Sequence, residues 1–162
     1  MGIGLSQFKH ISIFTALLCI FFTSTIVAAI EKDELFDSVI EKCSLGEDEK
    51  VIVIFQSLTS CPKCYHNIHY IIESSKKEST SDFKILAFVN CHREKELKVF
   101  KKKYNCDYFL AVGGIETKEI LGIARNTELA IFNYHGELLL DLNDEDIKKR
   151  ISATTKIVNV LN

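Results

Sequence analysis

The sequence has no tryptophan, a single proline (Pro62) and only seven glycines among its 162 residues. It also has no internal repeat, no low-complexity tract and no stretch rich in proline and glycine that would indicate a linker. These absences favour one compact domain. The chain length and the hydrophobic content of 47% suit a domain of that kind.

Charge of one sign is also lacking. The 20 basic and 22 acidic residues give a formal net charge of −2, and no basic stripe stands out along the chain. Because binding to a nucleic-acid backbone requires clustered positive charge, we predict no nucleic-acid partner.

The N-terminus has the pattern of a targeting segment. Lys9 and His10 precede an apolar run over residues 11–22, and Val27 and Ala29 fit a signal-peptidase site after Ala29. The alternative is an uncleaved membrane anchor, since no charge interrupts residues 11–30 and about 20 apolar residues span a bilayer. We therefore divide the chain into a signal or anchor segment (1–29) and a folded domain (30–162). Both interpretations predict export to a periplasmic, secreted or other extracytoplasmic location, where disulfides persist.

The most informative motif is Cys61-Pro62-Lys63-Cys64. It follows a buried-strand pattern over residues 51–55 and precedes a helical pattern. A Cys-x-x-Cys pair at such a junction is typical of thiol–disulfide chemistry. The helix N-terminus would stabilise a Cys61 thiolate, helped by the charge of Lys63, and Cys64 would lie one turn inside to resolve a mixed disulfide. The alternative for the cysteine pair is a structural disulfide, and the alternative for Lys63 is a solvated side chain with little effect on the thiols.

Hydrophobic periodicity outlines the remaining elements. It predicts helices over residues 33–43, 62–75, 93–104 and 115–121. It predicts strands over residues 50–58, 82–90, 108–112, 129–132 and 137–142. The last two strands are joined by Asn133-Tyr134-His135-Gly136, which is a hairpin signal.

A final helix is predicted after Asn143. This residue can cap the helix, and three acidic residues follow it in the first turn, where the helix dipole favours negative charge. The apolar spacing predicts an inner stripe formed by Ile147, Ile151, Thr154 and Val158.

The order of the elements predicts an α/β fold with a central mixed β-sheet flanked by helices, in which a crossover helix joins two parallel strands. With the Cys61-Pro62-Lys63-Cys64 motif after its first strand, the chain resembles the thioredoxin superfamily, and more closely its exported TlpA-like branch. The resemblance covers residues 50–142 and includes the stretch 100–109 and the hairpin from Leu129 to Glu137. It implies a thioredoxin-like fold and a thiol–disulfide oxidoreductase that acts on protein thiols and disulfides without a cofactor. In that family the first cysteine attacks and the second resolves, so Cys61 and Cys64 are the catalytic candidates.

Three residues depart from the family pattern. Ser60 replaces the usual tryptophan, Ile54 replaces a buried acid, and Thr127 occupies the position of a cis-proline. Since a cis bond before a non-proline residue costs about 2.5–4 kcal/mol, the loop 125–127 is expected to be trans. The substrate-binding candidates are Pro62, Lys63, Asn126 and Thr127. The departures support an alternative function, a non-enzymatic domain of the same fold that binds a metal ion or a protein partner.

The expected strand ends predict where the other cysteines lie. The odd number of five cysteines after residue 29 leaves at least one unpaired. Cys91 should lie at the same sheet edge as Cys61, and Cys43 and Cys106 at the opposite edge. A 12-residue helix is roughly 18 Å long, whereas a disulfide needs Cα atoms within about 7 Å, so Cys91 and Cys106 cannot pair. We therefore predict Cys43–Cys106 as the one feasible structural disulfide and Cys91 as a free thiol. The alternative is that all three are small buried hydrophobic residues.

The sequence also contains residues that could bind a metal ion. His66, His69, Cys91 and His92 could join the cysteine pair as soft ligands, and thiolates with imidazoles suit copper. However, His66 and His69 fall on different faces of their helix, and no second Cys-x-x-Cys completes a structural zinc site. We therefore name no metal ligands, and copper binding is kept under the alternative function of a non-enzymatic domain.

Overall fold

The structure is a computed structural model that describes residues 30–59 and 61–162. The predicted signal or anchor segment and the interpretation of Ser60 lie outside the described residues. Within the described ranges, no helix is both long enough and apolar enough to cross a bilayer.

The described chain alternates helices and strands in the predicted order. The helices are α1 (described from residue 30 to 43), α2 (Pro62–Glu78), α3 (Glu94–Tyr104), α4 (Ile115–Ile120), α5 (Asp144–Lys148) and α6 (Arg150–Leu161). The strands are β1 (Lys50–Ser57), β2 (Phe83–Asn90), β3 (Phe109–Val112), β4 (Thr127–Phe132) and β5 (Leu138–Asn143).

The five strands form one mixed sheet in the order β3-β2-β1-β4-β5. β1 and β2 are parallel, with Ser57 opposite Asn90, as expected for strands joined by a crossover helix. β4 and β5 form the predicted antiparallel hairpin, and β4 runs antiparallel to β1. The predicted α/β fold with a central mixed sheet is confirmed.

The central strand β1 divides the hydrophobic core in two. Ile52 and Ile54 point to one face, which we call the α2 side because α2, α3 and α6 cover it. Val51, Val53 and Phe55 point to the other face, called the α1 side, which α1 and the segment after α4 cover. Successive side chains of a strand alternate between faces, and both faces here are buried, so β1 is apolar throughout its middle.

Helix α2 positions the cysteine motif, and its sequence explains how. Pro62 occupies the first helical position, where its missing N–H costs nothing. Ile68, Ile71 and Ile72 form its inner face and are at most 1% exposed. The apolar face therefore holds the helix against the sheet, and its N-terminus lies at the carboxyl end of β1.

The C-terminal helix differs from the prediction. Asn143 caps α5 as expected, since its Oδ1 accepts hydrogen bonds from the N–H groups of Glu145 (2.9 Å) and Asp146 (3.1 Å). However, the backbone breaks at Lys149 (φ −90°, ψ 59°), and α6 begins as a new helix. The helical spacing of apolar residues that starts at Ile147 therefore does not continue from α5 into α6. Of the predicted inner stripe, Ile147 and Thr154 are buried, but Ile151 is 78% exposed and Val158 is only half-buried, so the prediction is wrong for these two residues. The α6 residues that pack inward are Ala153, Thr154, Ile157 and Leu161.

Candidate active site

The cysteine motif begins where β1 has ended and α2 starts. Cys61 is the N-cap of α2, and its extended backbone (φ −65°, ψ 135°) turns the side chain back toward the first helical turn. Its Sγ accepts a hydrogen bond from the backbone N–H of Cys64 at 3.3 Å. The sulfur therefore takes the place of the side-chain oxygen that usually satisfies an unpaired N–H at a helix N-terminus.

The two sulfur atoms of the motif lie 2.9 Å apart, and both cysteines are free thiols. Cys61 is exposed and Cys64 is half-buried behind it, one turn into the helix. A disulfide of an incoming molecule can therefore reach Cys61 first, while Cys64 stays within reach of the Cys61 sulfur.

The two thiols differ in acidity. The pKa of Cys61 is lowered, first by the hydrogen bond from the Cys64 side chain and then by the one from the Cys64 backbone N–H. The pKa of Cys64 is raised, first by its hydrogen bond to Cys61 and then by burial and by the negative charge on Cys61. Cys61 therefore ionises first, and its ionisation keeps the proton on Cys64.

Lys63 contributes less than the sequence suggested. Its charge does lower the pKa of Cys61, but this is the smallest of the causes, behind the two groups of Cys64. The side chain is exposed, so solvent screens its charge. The acidity of Cys61 depends mainly on the geometry of the first helical turn.

Two acidic residues face the second cysteine from outside α2. The charges of Asp144 and Glu128 both raise the pKa of Cys64, although less than Cys61 does. Asp144 opens α5, and Glu128 is the second residue of β4. Sequence reasoning missed both, since neither lies near the motif along the chain.

The segment between β1 and α2 is held in place by a lysine from α3. The Nζ of Lys103 donates a hydrogen bond to the carbonyl oxygen of Leu58 at 3.0 Å and lies 4.8 Å from the ring centroid of Tyr104. The hydroxyl groups of Ser57 and Thr59 are also 2.9 Å apart. Lys103 was missed because it belongs to a run of three lysines, of which the sequence does not identify the one that reaches the loop.

Aromatic residues pack behind Cys64. The ring of Tyr65 stacks on Tyr104 with 4.0 Å between centroids, and its hydroxyl donates to the Tyr104 carbonyl oxygen at 3.3 Å. His69 Nδ1 lies 2.9 Å from the Tyr108 hydroxyl. His69 therefore already has a hydrogen-bond partner, and in the described part of the chain no three His, Cys, Asp or Glu side chains are grouped so that they could hold a metal ion.

The predicted substrate-binding residues fall into two groups. Pro62 and Lys63 are exposed beside Cys61, and Asn126 is exposed just before β4. Thr127 begins β4 and is only 1% exposed, with its N–H donating to the Ala124 carbonyl oxygen at 3.0 Å. No cis peptide bond occurs among the described residues, so the loop 125–127 is trans as expected.

The predicted bridge between Cys43 and Cys106 needs correction. Both are free thiols; Cys43 packs in the core on the α1 side, and Cys106 packs in the core on the α2 side. The sheet lies between them. Burial raises the pKa of Cys43 to about 11 and also raises the pKa of Cys106. Cys43 precedes β1 and Cys106 precedes β3, near the starts of two parallel strands, but the sequence pattern does not show which face of the sheet each cysteine occupies.

Cys91 lies where the prediction placed it. It directly follows β2, whose last residue Asn90 is paired with Ser57 of β1, so it shares the sheet edge of the cysteine motif. Its thiol is free and buried. Burial raises its pKa, so it lacks the activation seen at Cys61.

The fold was compared with solved structures, and the sequence with protein-family models and curated proteins. No protein-family model matches the sequence, and the comparison with curated proteins finds no match. The thioredoxin domain of a thiol-disulfide oxidoreductase from Bacteroides vulgatus has a TM-score of 0.50 at 16% identity, covering 70% of this chain and 81% of that chain. A thioredoxin-family thiol:disulfide interchange protein from Chlorobium tepidum has a TM-score of 0.45 at 15% identity. The match covers 65% of this chain and 79% of that chain. A member of the Sco family of cytochrome c oxidase assembly proteins has a TM-score of 0.47 at 19% identity. The match covers 67% of this chain and 82% of that chain.

Proposed function

The chain has a thioredoxin-like fold, and from that premise we propose that it is a thiol–disulfide oxidoreductase acting on protein thiols and disulfides through Cys61 and Cys64. The observation that carries the proposal is the asymmetry of the pair: two free sulfurs 2.9 Å apart, one exposed with a lowered pKa and one half-buried with a raised pKa. A structural disulfide has no need for unequal thiols.

The reaction follows from the positions of the two sulfurs. The Cys61 thiolate attacks one sulfur of a partner disulfide, which forms a mixed disulfide and releases the other partner sulfur as a thiolate that takes up a proton. Cys64 then loses its proton and attacks the Cys61 sulfur. The Cys61–Cys64 disulfide forms, the second partner sulfur leaves as a thiolate that takes up the proton given up by Cys64, and two electrons have passed from the protein to its partner. The reverse sequence oxidises a partner dithiol.

The surroundings of Cys61 provide the proposed contact surface for the partner. Pro62 and Lys63 are exposed beside the attacking sulfur, and Asn126 is exposed on the loop before β4. Thr127 follows Asn126 but has a buried side chain, so we expect it to contribute through its backbone.

We further propose that the domain acts outside the cytoplasm and that residues 1–29 are a signal peptide or an uncleaved anchor. The support is the sequence pattern of that segment and the use of a dithiol pair, whose partner disulfides persist in oxidising compartments. N-terminal sequencing of the protein from its native cells would find Ile30 as the first residue after cleavage, or Met1 if the segment is retained.

The test of the activity is the reduction potential of the pair, measured by equilibration with glutathione or dithiothreitol. A reversible value near about −270 mV indicates a reductase, and one near about −120 mV an oxidant. Cys61→Ala should abolish turnover, and Cys64→Ser should trap the mixed disulfide. Cys91→Ala, a change of a free thiol at the same sheet edge, is the matched control and should leave turnover intact. A pair that does not titrate reversibly would refute the proposal and support a domain that only binds a partner.

A further inference from the structure

A cavity of about 160 Å³ opens at the carboxyl ends of β1 and β2, next to the start of the loop that carries Cys61. Its wall includes Ser57, the last residue of β1, and Asn90, the last residue of β2. This edge is where ligands usually bind in open α/β sheets. The volume exceeds the roughly 30 Å³ that one water molecule occupies in the liquid, so a small organic group fits.

Two opposite charges face this cavity. Lys118 is only 7% exposed, and Glu128 is half-buried. Lys118 Nζ donates to the Arg125 carbonyl oxygen at 3.0 Å and lies 4.9 Å from the ring centroid of Phe55. Among the described residues, no ion pair within 4.0 Å joins Lys118 to Glu128. The cation and the carboxylate thus line one small space without touching.

We propose that this cavity binds the zwitterionic head group of an α-amino acid and that its ligands are small disulfides carrying that head group, of which cystine is the smallest. The carboxylate of the ligand is placed on Lys118. The ammonium group is placed on Glu128. A simple anion would be repelled by Glu128, and a simple cation by Lys118, so the pair of charges selects a head group with both signs.

This inference rests on the proposed function, because the bound disulfide reacts with the pair. Ser57 connects the cavity to the loop of Cys61, and the charge of Glu128 acts on Cys64. The Cys61 thiolate attacks one cystine sulfur and releases the first cysteine, which takes a proton. Cys64 then attacks the Cys61 sulfur and releases the second cysteine. One protein dithiol and one cystine give one protein disulfide and two cysteines, with two electrons transferred and no further reactant.

The test compares three disulfides that differ only in the head group. The reduced full-length chain is mixed anaerobically with L-cystine, with cystamine, which lacks the carboxylates, or with 3,3′-dithiodipropionic acid, which lacks the amines. Formation of the protein disulfide is followed over a single turnover. Each rate is divided by the rate of the same disulfide with dithiothreitol, which removes differences in intrinsic reactivity. We expect a normalised rate for cystine roughly tenfold or more above both analogues, since each charge-assisted contact is of that order.

Variants assign the two contacts. Lys118→Met should slow cystine and speed cystamine, because it removes both the partner of the cystine carboxylate and the charge that repels the cystamine ammonium groups. Glu128→Gln should reduce the advantage of cystine over dithiodipropionic acid. Lys98→Met, which changes an exposed lysine on α3, is the matched control and should change none of the rates. The comparison of ligands on the wild-type chain stands even if a variant at the buried lysine does not fold.

The outcomes separate this inference from the proposed function. Equal normalised rates for the three disulfides, with a protein disulfide such as that of insulin still reduced, would overturn the amino-acid site and leave the oxidoreductase activity standing. Failure to reduce either insulin or any small disulfide would overturn both.

Discussion

The backbone N–H of Cys64 donates to the Sγ of Cys61 at 3.3 Å, while the side chain of the same residue brings its own sulfur to 2.9 Å from that atom. One residue therefore supplies two donors to the thiol that must ionise. The geometry is local to the first turn of α2, because residues three apart meet on one side of a helix.

The first prediction concerns the acidity of Cys61. The rate of its alkylation by iodoacetamide should rise with pH as the thiolate forms, at a lower pH than for an ordinary thiol, because its pKa is lowered. Cys64→Ala removes the first cause of that shift, so the rise should move to higher pH. Cys64→Ser keeps a hydroxyl donor and should move it less. Lys63→Met should have the smallest effect, and a larger shift from Lys63→Met than from Cys64→Ala would contradict this account.

The second prediction concerns Cys64, whose pKa is raised by neighbouring charges. Removing the charge of Asp144 with Asp144→Asn makes the Cys64 thiolate less unfavourable, so its pKa should fall. Cys61→Ala should lower it further, because Cys61 is the largest cause. Titration of the cysteine Cβ carbon signal by NMR measures both shifts. Asp141→Asn changes an exposed carboxylate on the neighbouring strand and serves as the control.

The third prediction follows from the two separate cores. Peptide mapping without reduction should find no Cys43–Cys106 disulfide, even after mild oxidation, because the sheet separates the two thiols. In the native protein Cys61 should alkylate first. Cys43 should react only after unfolding, since it is 1% exposed and its pKa is raised to about 11. Recovery of a Cys43–Cys106 peptide from folded protein would show that the face assignment is wrong.

The fourth prediction tests the core behind the cysteine pair. Phe100 is completely buried, so Phe100→Ala should lower the free energy of unfolding by about 3–5 kcal/mol, measured by urea denaturation. Val99→Ala, at an adjacent position that is 59% exposed, should change it by less than about 0.5 kcal/mol. Similar losses from the two variants would mean that α3 packs through a different face.

The fifth prediction concerns the contact between α3 and the redox loop. Lys103→Met removes the donor to the Leu58 carbonyl oxygen, so amide hydrogen exchange at Thr59 should become faster. Lys102→Met, one position earlier and also exposed, should leave that exchange unchanged. Because the contact is exposed, the global stability of either variant should stay within about 0.5 kcal/mol of wild type.

The sequence predicted those parts of the molecule whose signals are local. The apolar run of β1 and the single proline at the start of α2 were sufficient to place Cys61 and Cys64 at a strand-to-helix junction, and the hairpin and the cap at Asn143 were also found. These features depend on residues adjacent along the chain, so their patterns are complete within a few positions.

Other features depend on how distant elements pack, and the sequence did not predict them. The break at Lys149 carries no proline or glycine, so the pattern suggested one continuous helix where two exist. The face of the sheet that Cys43 occupies depends on where α1 packs. Lys118 is buried although lysine is almost always exposed, and only the fold shows that it shares a cavity with Glu128.

The central position of β1 has a consequence for inactivation by heat. Both neighbouring strands pair with β1, its side chains fill both cores, and its end leads into the loop of Cys61. A slip of one residue would exchange the two faces and displace the loop by about 3.3 Å. Melting of β2 or β4 would remove a strand that pairs with β1 and disturb the thiols, so loss of turnover on heating should coincide with the global unfolding transition rather than precede it.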